Sequence, residues 1–85
     1  MGASRVLRLA VTHLEQGNWK AAHEIVQKDE ESPLSCWAHG IVHVMEGDLP
    51  NARYWYGMAK RAFPENPSIP GEIAALKDKS GSHPD

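Results

Sequence analysis

Two short turns, Gly17-Asn18 and Gly47-Asp48, stand thirty residues apart in this chain, and helix-periodic sequence flanks each on both sides. Glycine tolerates the left-handed backbone that closes a helix, and Asn or Asp can cap the free amides that open the next one. A chain punctuated in this way folds into helices joined by tight turns. The same shift of thirty pairs His13 with His43 and Ala22 with Ala52. A period of that length marks stacked helical units, each unable to bury its apolar face alone.

The apolar residues Leu7, Ala10, Val11 and Leu14 recur at spacings of three and four, predicting a first helix over Ser4–Gln16. A second runs from Trp19 to about Glu30, with Trp19, Ala22, Ile25 and Val26 inward. Ser32-Pro33 opens a third, since Ser caps and Pro fits the first turn, and it extends to Glu46. The fourth spans Leu49 to about Phe63, where Pro64 and Pro67 stop it. Ser68-Ile69-Pro70-Gly71-Glu72 is another capped start, leading to about Lys79 with Ile69, Ile73 and Leu76 on one side. The expectation is one all-α domain over residues 1–79, with 80–85 as a disordered tail.

Eighty-five residues bury a modest core, about 60% of the surface the unfolded chain exposes, so self-association as a homodimer would add stability. The single cysteine, Cys36, excludes an internal disulfide and a four-thiolate metal site and fits a reducing cytoplasmic setting. Arg8 and Thr12-His13 interrupt the first apolar stretch, so neither a signal peptide nor a membrane span is expected. A net charge of -2 does not favour nucleic acid, although Arg53, Lys60 and Arg61 lie near aromatic residues.

With Gly40, Ala52, Tyr56, Ala59 and Pro64 at their spacing, the second helical pair resembles the tetratricopeptide repeat family over roughly residues 33 to 64. The small residue of that consensus falls on Gly40. The small and aromatic residues of its second helix fall on Ala52, Tyr56 and Ala59, and its closing proline on Pro64. The first pair matches more loosely through Leu9, Ala10, Trp19 and Ala22, and His39 stands where the consensus has leucine. The resemblance implies two antiparallel helical hairpins plus a short C-terminal capping helix, and work as a protein-interaction or assembly module. Residues 17 to 24 are also similar to a Gly-x-x-x-Glu-Ala-His-Glu pattern of small helical proteins, except at Ala21.

Cys36, His39 and His43 share one face of the third helix. Imidazoles four apart on a helix can share a zinc ion, and His23 or His13 could complete the set. Cys36 and His43 are about 10.5 Å apart along the axis, too far to serve one ion together. The favoured reading is that His39 and His43 are buried imidazoles packed between the helices and bonded to a backbone carbonyl or a Tyr hydroxyl, with the metal as the alternative. A Cys36-His39 nucleophile dyad lacks an orienting group and an oxyanion site, so the sequence leans against an enzyme and requires no cofactor, with zinc as the alternative.

Tyr54-Trp55-Tyr56 covers about 200° of helical arc, so the three cannot all face one core. With Tyr56 inward, Tyr54 or Trp55 is left to meet a neighbour. Leu34, Trp37, Ile41, Val44 and Met45 form an apolar stripe on the third helix. Either the chain folds over that stripe or a protein or peptide partner does. These residues, with Tyr54 and Trp55, are the candidate partner surface.

Overall fold

The structure, a computed structural model, describes residues 2–81, with the side chains of residues 6–80. It is all-helical: α1 Gly2–Glu15, α2 Trp19–Val26, α3 Pro33–Glu46, α4 Leu49–Met58 and α5 Ile69–Gly81, with no strand among the described residues. None of these helices is long and apolar enough to cross a membrane.

The two turns that organise the sequence close with the same bonds. The Asn18 amide donates to the His13 carbonyl at 2.8 Å, and the Asp48 amide donates to the His43 carbonyl at 2.9 Å. Gly17 and Gly47 donate to Leu14 and Val44 at 3.0 and 3.1 Å, with φ of +75° and +92°. Only glycine adopts that backbone without strain. The caps that follow differ. Asp48 accepts from the Asn51 amide at 3.4 Å, whereas the Asn18 side chain makes no capping bond, contrary to expectation.

α1 starts at Gly2, two residues ahead of the expected Ser4, and the C-terminal ends of α2, α4 and α5 depart from the sequence reading. α2 stops at Val26 because Lys28 and Asp29 bond three residues back, to Ile25 and Val26, which tightens and ends the helix. The Asp29 carboxylate then accepts from the Glu31 and Ser32 amides at 3.3 and 3.2 Å and turns the chain into the Ser32 cap of α3. α4 stops at Met58, one turn short of the prolines, because Lys60 takes a left-handed φ of 60°. There the Arg61 amide donates to the Tyr56 carbonyl at 3.0 Å, the six-to-one closure that ends α1 and α3. α5 runs past Lys79, so Ser80 and Gly81 are helical, while residues 82–85 of the expected tail lie outside the described residues.

α3 is the centre of the packing, buried at every position from Ser35 to Val42 and on through His43. α2, α4, α5 and α1 all pack on it. α1 contributes Leu7, Ala10, Val11 and Leu14 to the core, and α2 adds Ala22 and Val26. The Tyr56 ring of α4 packs directly on α3 at Gly40, which has no side chain: a Cβ there would lie 2.5 Å from Cδ1 of Tyr56. α5 lies across α1 and α3 with Ile73 and Leu76 buried. Its Glu72 carboxylate accepts the Trp37 indole N–H at 3.1 Å and the Tyr56 hydroxyl at 2.5 Å. Lys77 pairs with Glu15 of α1 at 3.0 Å.

Candidate metal centre

The apolar stripe of α3 is largely folded over by the chain itself. Trp37 and Ile41 are buried, Leu34, Val44 and Met45 half-buried, and the Arg61 guanidinium lies 3.6 Å over the Trp37 ring. The consecutive aromatics of α4 separate as helical geometry requires. Tyr56 is buried, Trp55 half-buried, and Tyr54 is 57% exposed. Met45 also borders an open, mainly apolar cleft with Leu14, Ile69 and Ile73, rimmed by Glu15 and Lys77.

On the side of α3 that meets α2 and α4, imidazoles collect. His39 and His43 sit one turn apart, so their rings stack at 5.0 Å between centroids with planes 23° apart. α2 brings His23 edge-on to both, at 4.8 Å from His39 and 5.4 Å from His43. One ring nitrogen from each of the three lies within 4.8 Å of the others. A tetrahedral zinc site with bonds of 2.0–2.1 Å separates its nitrogens by about 3.4 Å, so the three rings would have to turn and draw together to hold an ion. His13, the other histidine singled out from the sequence, does not join the group, although its Nδ1 is likewise buried without a partner.

Each ring is held by a different device. Nδ1 of His43 is 2.8 Å from the Glu46 carboxylate, and in the Nδ1–H tautomer that this contact suits, Nε2 is the nitrogen available to a metal. Carboxylates placed in this way fix the orientation of metal-binding imidazoles. His39, 3% exposed, stacks on the Trp55 indole, and its Nδ1 is buried with no hydrogen-bond partner. Burial, with His23 and then His43 beside it, pushes His39 from the ordinary 6.5 down to about 4. The ring is therefore neutral at physiological pH, the state in which imidazole binds metals. His23 is half-buried and forms the outer wall.

Two other arrangements have different explanations. His43, Glu46 and Asp48 also lie close together, but Glu46 is engaged with His43 and Asp48 caps α4. Cys36 does not join the imidazoles, its thiol donating to the Glu30 carbonyl at 3.3 Å. Burial, followed by the carboxylates of Asp29 and Glu30, raises its pKa, the opposite of what a nucleophilic thiolate needs.

Sequence reasoning passed over Glu46 and Glu72. The spacing of three between His43 and Glu46 was a usable signal, because residues so placed on a helix are neighbours. Glu72 carried none, since its partners come from two other helices. No protein-family model matches this chain, and no curated protein or solved structure matches it.

Proposed function

We propose that this chain is a small helical metal-binding protein that holds zinc, or a similar divalent transition cation, through His23, His39 and His43. The observation that carries the reading is the convergence of three ring nitrogens, one of the rings being buried with a nitrogen that has no partner. A buried polar atom without a hydrogen bond costs about 1–3 kcal/mol, and a bound cation would remove that cost if Nδ1 is the ligating atom. The ion would tie α2 to α3, coupling metal binding to stability.

Elemental analysis of untagged protein, with melting measured in zinc and in chelator, tests the reading. At a hundredfold excess of free zinc over Kd, binding adds about 2.7 kcal/mol. In a domain of this size that raises Tm by at least about 10 °C. Absence of bound metal together with identical melting curves would overturn it.

A second reading, a tetratricopeptide-like interaction module, draws support from the repeated closure at Gly17 and Gly47 and from the open cleft beside Met45. In it, α1 with α2 and α3 with α4 are two hairpins capped by α5, and a second copy of the chain covers the cleft. Sedimentation over a wide concentration range tests this. A dimer that Ile69→Glu returns to monomer supports it, and a monomer at every concentration removes it. The lone free cysteine fits a reducing, cytoplasmic setting under either reading.

A further inference from the structure

Resting on the metal reading above, we infer that the ion at His23, His39 and His43 keeps a fourth coordination position open to water and exchangeable for small anions. Structural zinc sites are closed by four protein ligands, whereas sites with three protein ligands leave the fourth place to water or substrate. Among the described residues, three imidazoles converge and no further His, Cys, Asp or Glu joins that group. The nearby groups that might have filled it are committed elsewhere. Glu46 is bonded to Nδ1 of His43, on the opposite side of that ring from Nε2. Cys36 donates to the Glu30 carbonyl, and Asp48 accepts from the Asn51 amide as the α4 cap.

Access is one-sided. His39 and His43 are buried, and Trp55 lies across one face of His39. His23 alone of the three is half-exposed, so solvent reaches the ion past α2. The inner wall holds the cation, and the outer side leaves room for an exchangeable ligand. A cation placed this way lowers the pKa of the water it binds, and that water is the group an anion would displace.

Cobalt(II) reports coordination through its visible bands and replaces zinc in nitrogen sites. The experiment loads the full chain with one equivalent of cobalt(II), titrates sodium azide, and follows the bands alongside the molar mass by light scattering. The expected result is a saturable shift of the bands by azide in a species that stays monomeric, with the bands lost in His23→Gln. His23 is the half-exposed member of the set, and a far-ultraviolet circular dichroism spectrum checks that this variant is folded. Cobalt bands that ignore azide overturn the open position and leave the three-histidine site standing. Dimer formation on loading, with azide again silent, overturns it too, because a second copy then supplies the fourth ligand. If cobalt does not bind, both the site and its open position fall.

Discussion

The indole of Trp55 lies flat against the imidazole of His39, with ring centroids 3.9 Å apart and planes 8° from parallel. Stacked on Trp55 and on His43, the His39 ring is restrained in its orientation, which under the metal reading makes Trp55 a positioning group. Trp55→Leu keeps apolar cover and removes the flat wall. Groups that position metal ligands contribute about 10–100-fold to affinity, and the lower end is expected here, a loss of about tenfold in zinc binding. Titration calorimetry measures it, and an unchanged Kd would show that the stack does not position the ring.

The metal-free protein should weaken in mild acid. His39 titrates near 4 when folded, against 6.5 ordinarily, because it is buried beside His23 and His43. Between those values the unfolded chain binds a proton that the folded chain does not. Stability therefore rises with pH across that window, by up to about 1.4 kcal/mol per unit for one proton. The contribution is fully present above 6.5 and is lost as pH falls through about 4. Urea unfolding at several pH values in chelator reads the slope. His39→Gln should flatten it, and a wild-type profile without slope would contradict the assignment.

Gly40→Ala should destabilise the protein despite replacing a helical glycine. In an open helix the change gains about 1 kcal/mol. Here the new Cβ would meet the Tyr56 ring at 2.5 and 2.8 Å and the Ala52 carbonyl oxygen at 3.3 Å. Overpacking of that kind costs about 1–3 kcal/mol, and Tyr56 cannot retreat without loosening its bond to Glu72. A lower urea midpoint with an unchanged slope is the expected result, and a higher midpoint would refute the close packing.

Lys60→Gly should act in the other direction. Lys60 holds φ at 60°, where a side chain costs about 1–2 kcal/mol that glycine avoids. Glycine's extra freedom in the unfolded chain offsets part of this, leaving a gain of about 0.5–1 kcal/mol. That raises Tm by several degrees in a domain of this size. Thermal melts of the two proteins under identical conditions decide the sign.

The helices were legible wherever local chemistry dictates structure. Gly17 and Gly47, the Ser32-Pro33 start and the Ser68 cap each sit where their side chains or backbone freedom require. The ends of α2 and α4 were not legible. Asp29 turns the chain by accepting two amides, and Lys60 closes a helix in a conformation that lysine seldom adopts. At the histidine cluster, helical spacing alone placed His39 beside His43. The arrival of His23 and the exclusion of His13 depend on how α1 and α2 pack, which no local pattern encodes. The thirty-residue shift made His13 and His43 look equivalent, yet only His43 has a carboxylate three residues on.

Trp37 donates its indole N–H to Glu72 of α5, while Trp55 rests on an imidazole. Of the three tryptophans in the chain, these two therefore watch different events. Departure of α5 would strip Trp37 of its acceptor, and occupation of the histidines would change the quenching of Trp55. With the other two indoles replaced by phenylalanine in each case, Trp19 included, emission from a single cuvette can separate loosening of the last helix from capture of an ion.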